Sequence, residues 1–114
     1  LRKVMLENKK SAKWDSNFQE RNFIFTNSKG SPMPLSSINA NIKNAAKNIG
    51  IEKDISTHTM RHSHISLLSQ LGVSLRAIMD RVGHKDYKTT LQIYSHVTEQ
   101  MDKDMMSKLE KVGI

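Results

Sequence analysis

Two stretches of this sequence concentrate side chains that can handle phosphate and protons. The first is Thr57-His-Thr-Met-Arg-His-Ser-His64, and the second is Val82-Gly-His-Lys-Asp-Tyr-Lys-Thr-Thr-Leu-Gln-Ile-Tyr-Ser-His-Val97. His58 and Arg61 stand three apart, a spacing that makes neighbours of them on one face of a helix. His84 follows a glycine that stops a helix, where backbone and side chain can turn toward a site. Tyr94 lies ten residues further on, between the apolar Leu91 and Val97. One task uses these types together: attack of a tyrosine hydroxyl on a phosphodiester. A phenol ordinarily ionises near pH ~10, so a neutral-pH nucleophile of this kind needs a base or a cationic site beside it. Arginine presents a planar fork that matches two phosphate oxygens and stays charged at any working pH. Histidines can donate to the non-bridging oxygens as charge builds, or move the proton. The phosphotyrosyl ester keeps the energy of the cleaved bond, so resealing needs neither ATP nor a metal. The sequence has no P-loop and no carboxylate cluster, in keeping with that chemistry.

Helices must position these groups. Thr57 reads as the N-cap of a helix with Met60, His64, Leu67, Leu68 and Leu71 inward, ending at Gly72. Ser74 caps a shorter helix with Leu75, Ile78, Met79 and Val82 on one face, and Gly83 ends it. The pattern predicts a short helix from about Lys88 to Ser95, then a last helix opened by Thr98 with the stripe Met101, Met105, Leu109 and Val112. Upstream, residues 1–9 read as a helical remnant and residues 8–17 as a polar loop. Phe23-Ile24-Phe25-Thr26 is β-prone, closed by Asn27–Gly30, Pro32 and Pro34. Ser36 or Ser37 can cap a helix with Ile38, Ile42, Ala45, Ala46 and Ile49 on one face, stopped by Gly50. The expected fold class is mainly α, with at most a short strand near residues 22–26.

The quoted residues resemble a known family. His58-Thr-Met-Arg61-His62 resembles the H-x-x-R box of the tyrosine recombinases, the phage-integrase and Xer-like strand-exchange enzymes. Val82-Gly-His84 is similar to their L-G-H element, and Thr89-Thr-Leu-Gln-Ile-Tyr94-Ser-His to the box that holds their nucleophile. The order and spacing match over residues 57–98, and Phe23–Gly50 is similar to the family's preceding strand-and-helix segment. The resemblance implies a site-specific DNA recombinase or integrase of a phage or mobile element, working without a cofactor in the cytoplasm on nucleoid DNA. It implies Tyr94 as the nucleophile that forms a 3′-phosphotyrosyl link. Arg61 would be the second catalytic arginine, His58 its partner, and His84 a contact to the scissile phosphate. Double-stranded DNA would be the partner, with self-association into a tetrameric synapse. The family also uses an arginine from an earlier helix and a lysine from an earlier β-hairpin, and neither can be assigned to a residue here. The chain is therefore expected to be the C-terminal part of a catalytic domain, lacking the core-binding domain and inactive or nearly so alone. In this family the C-terminal segment commonly docks on a neighbouring protomer, so residues 98–114 could pack in cis or in trans.

Composition narrows the alternatives. At 114 residues there is room for one domain's core. No cysteine is present, which excludes disulfides, thiolate metal sites and a cysteine nucleophile and fits a reducing compartment. No apolar run approaches membrane-spanning length. The net charge is +7, with residues 1–50 at +6, residues 51–88 at +2 and residues 89–114 at −1. Such a basic body favours a polyanion partner, nucleic acid before an acidic membrane. Lys43 and Lys85 are candidate phosphate-backbone contacts. His58, His62 and His64 could suggest a metal, but no third ligand of the right kind is evident, so no metal site is expected and His64 reads as a packed residue. His96 reads as exposed or structural. Tyr87, the rival nucleophile, falls in a polar connector. The main competing function is a non-catalytic helix-turn-helix DNA-binding module built from residues 57–71 and 74–82. A third is a helical protein-interaction module resting on the methionine stripe, which usually means core packing.

Overall fold

A computed structural model describes all 114 residues. Five helices follow one another: α1 (Arg2–Trp14), α2 (Leu35–Asn48), α3 (Thr57–Gln70), α4 (Leu75–Val82) and α5 (Tyr87–Val112), with a 3-10 turn at His84–Asp86 before α5. The chain forms two compact units, Leu1–Lys53 and Asp54–Ile114.

In the first unit the loop between α1 and α2 is tied to α1 by Asn8. Its Nδ2 donates to the carbonyls of Phe23 (3.1 Å) and Ile24 (3.0 Å). The β-prone run 23–26 yields only one antiparallel bridge, Thr26 with Pro32. Two features stop the ladder there. The Asn27 side chain accepts from the N–H groups of Lys29 and Ser31, which turns the chain back at once. Pro32 has no N–H with which to extend the pairing. Gly30 is buried inside this turn at φ +85°, and a Cβ there would collide with the Gln19 carbonyl. The cap of α2 is Pro34 rather than Ser36 or Ser37, which lie in the first turn. Proline carries a φ of −61° into the helix start at no conformational cost, and its carbonyl accepts from Ser37 N–H. The packed face is narrower than the sequence pattern: Ala46 is buried and Ile38 and Ile42 are half-buried, whereas Ala45 and Ile49 are exposed.

The second unit starts with a reciprocal cap one residue earlier than the sequence pattern suggests. Ser56 Oγ accepts from Thr59 N–H at 3.4 Å, while Thr59 Oγ1 accepts from Ser56 N–H at 3.3 Å. The inward face of α3 is also rotated from expectation. Ile65 and Ser69 are buried and Arg61, His64 and Leu68 half-buried, whereas Met60, Leu67 and Leu71 are exposed. Only Met60, Ile65, Leu67 and Leu68 are apolar among the fourteen residues of α3, spread over an arc of about 160°, so periodicity selects its inward face only loosely. Ser69 can be buried because its Oγ donates to the Ile65 carbonyl at 2.8 Å, leaving no orphan hydroxyl. α4 follows its pattern: Ser74 Oγ caps it by accepting from Ala77 N–H, and Ile78 is fully buried.

The two helices expected after residue 87 are one helix of 26 residues, about 39 Å long at 1.5 Å per residue. Neither glycine nor proline interrupts residues 87–112. Thr98 does not cap; its Oγ1 donates back to the carbonyls of Tyr94 (3.0 Å) and Ser95 (3.1 Å). α5 packs against α3, α4 and the 3-10 turn. Burial stays in its N-terminal half, at Thr90 above all, while Met101, Met105 and Val112 are exposed and Leu109 is half-buried. No helix is long and apolar enough to cross a membrane.

Candidate active site

Arg61 occupies the second turn of α3, half-buried. Its Nε is shut off from solvent and has no hydrogen-bond partner. A guanidinium can only donate, so a buried N–H without an acceptor is a standing free-energy cost that an anion would remove. His58 lies three residues earlier, at the second position of the helix, and is exposed. The reciprocal Ser56–Thr59 cap fixes where this helix starts and therefore how His58 and Arg61 are phased.

His84 heads the 3-10 turn directly after Gly83, the C-cap of α4, whose φ of +92° breaks the helix there. The His84 Nε2–H donates to Asp80 Oδ1 at 2.8 Å. Tyr94 is half-buried in the part of α5 where the packed residues lie. One turn before it is Thr90, fully buried, with Oγ1 unpartnered. The only two buried side-chain polar atoms without partners are thus on α3 and α5, two helices that pack together.

His58, Arg61, His84 and Tyr94 all fall in the unit Asp54–Ile114, on α3, the 3-10 turn and α5, with α5 packed against both of the others. Lys85 is exposed on the same 3-10 turn, and Lys43 is on α2 in the other unit. Tyr87 is the first residue of α5 rather than part of a connector. His62 and His96 are exposed. His64 is half-buried, and its Nε2 accepts from Arg81 Nε–H at 3.0 Å, so that nitrogen carries no proton in this arrangement. No three His, Asp or Glu side chains gather in a group able to hold a metal ion. Thr90, Asp80 and Arg81 also belong to this arrangement, although the motif boxes do not single them out. Their signals were the i, i+4 spacings Thr90–Tyr94 and Asp80–His84; for Arg81 there was no local signal, since its partner is on another helix.

A family model described as the phage integrase family matches residues 1–101. The chain belongs to that family. Among relatives, the integrase of Staphylococcus phage L54a is 52% identical over 112 residues, covering 98% of this chain and 32% of the relative. A Lactococcus lactis prophage ps2 protein named as a probable integrase is 40% identical over 114 residues, covering 97% of this chain and 30% of its own length. Tyrosine recombinase XerD of Halalkalibacterium halodurans is 38% identical over 87 residues, covering 76% of this chain and 29% of that protein. The chain therefore spans about a third of the length of these relatives. Membership accounts for the order of the three boxes. It leaves the work of each side chain to be argued from the arrangement.

Proposed function

We propose that this chain is the C-terminal part of the catalytic domain of a site-specific DNA recombinase, one that cuts and rejoins duplex DNA through a covalent 3′-phosphotyrosine. The observation that carries the reading is the buried, unpartnered Nε of Arg61 on a helix packed against the one that bears Tyr94. A scissile phosphate is an acceptor of the right charge for that N–H. In the reaction Tyr94 Oη attacks phosphorus, the P–O5′ bond breaks, and the 5′ oxygen leaves as a hydroxyl. Attack by a free 5′ hydroxyl reverses the step and reseals the strand. Arg61 holds the non-bridging oxygens as charge builds on them, His58 contacts the phosphate and handles the phenolic proton, and His84 donates to the phosphate. The energy is conserved in the ester, so no nucleotide or cofactor is consumed.

The charge distribution supports a DNA partner. On α1, Arg2, Lys3, Lys9, Lys10 and Lys13 are all exposed and fall within a sector of about 120° on a helix of 3.6 residues per turn. The half-buried Val4, Asn8 and Ser11 occupy the opposite side. Exposed Leu35, Ile49, Leu67 and Leu71 support the companion reading that further parts of a larger catalytic domain, with its upstream arginine and lysine, cover this chain's surface. On DNA the protomers would assemble into a synapse.

The test uses the complete protein and a nicked suicide form of its DNA site. The expected result is a denaturation-resistant protein–DNA adduct that mass spectrometry maps to Tyr94. A footprint on the site without any adduct would overturn the catalytic reading and leave α3 and α4 as a helix-turn-helix that only binds.

A further inference from the structure

Among His58, Arg61, His84 and Tyr94, only His84 has its reacting side chain held by another residue. Asp80, on the last turn of α4, accepts from His84 Nε2–H at 2.8 Å. A carboxylate can only accept, so this bond fixes a proton on Nε2 and leaves Nδ1 as the ring nitrogen without a partner. The two residues are four apart, but they do not lie on one continuous helix, because Gly83 at φ +92° separates α4 from the 3-10 turn. The next residue along α4 reaches a different element: Arg81 Nε–H donates to His64 Nε2 on α3 at 3.0 Å. His64 is three residues beyond Arg61 on that helix. Consecutive side chains of α4 therefore hold the His84 ring and the helix that carries Arg61, while Ile78, fully buried, anchors α4 itself.

We propose that Asp80 is a positioning residue for His84: it holds the imidazole by Nε2 so that Nδ1 is the atom presented to the scissile phosphate. The Arg81–His64 bond is the brace that keeps α4 in register with α3. The inference rests on the recombinase reading above. With Asp80 accepting at Nε2, Nδ1 is the ring nitrogen left to meet the phosphate, and it donates there when it carries the ring's second proton. The Asp80 and His84 side chains are 59% and 62% exposed, so solvent screens the pair and it adds little to folding. Removing Asp80 should therefore act on rate and leave stability alone. Without it the exposed ring is free to turn about its side-chain torsions, and only a fraction of molecules offer Nδ1 to the phosphate at any moment.

The experiment measures single-turnover adduct formation by the complete protein on its suicide site, together with DNA affinity and melting temperature. Asp80→Ala should slow the step at saturating DNA by roughly 10-fold, by analogy with the lower end of what losing the orienting partner of a metal-bound histidine costs. Affinity and melting temperature should stay at the wild-type values. Asp80→Asn, which keeps an acceptor oxygen, should recover most of the lost rate. In a His84→Ala background, Asp80→Ala should have no further effect. A wild-type or faster rate for Asp80→Ala overturns the proposal, as does an Asn variant as slow as the Ala variant, or full additivity with His84→Ala. If the wild-type protein forms no adduct on Tyr94, the recombinase reading falls and this proposal with it. If it forms one and only Asp80 proves inert, the positioning role alone is wrong.

Discussion

The two compact units divide charge and chemistry unevenly. Residues 1–53 hold ten basic and four acidic side chains, a net +6, yet none of the residues proposed to touch the reacting phosphate. Residues 54–114 hold eight basic and seven acidic side chains, a net +1, and all of them. The units also differ in packing. Ala46 is the single buried apolar side chain of the first, whereas Ile65 and Ile78 are sealed in the second, beside the polar Ser69 and Thr90. Attraction for a polyanion needs only exposed cations in number, which a loosely packed helix such as α1 can offer. Phosphoryl chemistry needs a few donors held still, which requires a closed core beneath them. Affinity and catalysis should accordingly fail separately when the two regions are altered separately.

Tyr94→Phe should have the largest effect. In the complete protein it should abolish the covalent adduct, because no hydroxyl remains to attack, while gel-shift affinity for the site stays near wild type. An adduct that persists would move the nucleophile elsewhere, with Tyr87 at the head of α5 as the first place to look. Arg61→Ala should come next. Loss of a donor aimed at developing charge typically costs about 100- to 1000-fold in rate. DNA affinity should fall as well, since the same guanidinium binds the phosphate before reaction. A rate loss under 10-fold would mean that the buried Nε is satisfied some other way.

The difference in packing predicts a third contrast. Ile78→Ala removes a side chain with no exposed surface and should destabilise the chain by about 2–4 kcal/mol in a denaturant titration. Ile49→Ala removes one that is 74% exposed and should cost less than about 0.5 kcal/mol. Equal losses at the two positions would mean that the first unit's core is larger than Ala46 suggests.

Much of this arrangement is legible before any coordinates. Boxes of polar residues at fixed offsets single out Arg61, His84 and Tyr94 as candidates, and the structure places all three in the unit Asp54–Ile114. Helix ends are marked by Ser74, Gly50, Gly72 and Gly83 because caps and left-handed turns have few chemical solutions. Other features depend on choices that local pattern leaves open. A hydroxyl such as that of Thr98 can cap a new helix or bond back one turn within an old one, and the backbone ahead of it decides which. The inward face of α3 is hidden because its few apolar residues spread over an arc of about 160°, so packing against α4 and α5 selects Ile65 and Ser69 over Met60 and Leu71. The orphaned Nε of Arg61 and the Arg81–His64 bond are tertiary facts with no trace in spacing. Asp80 lies between these cases: its distance from His84 in sequence is plain, but an intervening helix stop argues against their meeting until the 3-10 turn is seen to bring the ring back.

The smallest expected effect tests the charged side of the comparison. If α1 tracks phosphates, replacing Lys9, Lys10 and Lys13 with Gln should make the dependence of DNA affinity on salt shallower. The expected change is about 0.9 in the logarithmic slope for each phosphate that is no longer neutralised. The rate at saturating DNA should be unchanged, because none of these cations is asked to touch the reacting phosphate. Lys85→Gln tests one further cation in the same way, on the 3-10 turn beside His84. The control is Lys103, Lys108 and Lys111, also exposed but interleaved on α5 with Asp102, Asp104 and Glu110. Their replacement by Gln should leave the slope where it was, since counterions are released only where phosphates are neutralised. A slope that changes equally in both triple variants would show that total charge, rather than the clustered face of α1, governs attraction to DNA. The division of labour between the two units would then reduce to where the core happens to be closed.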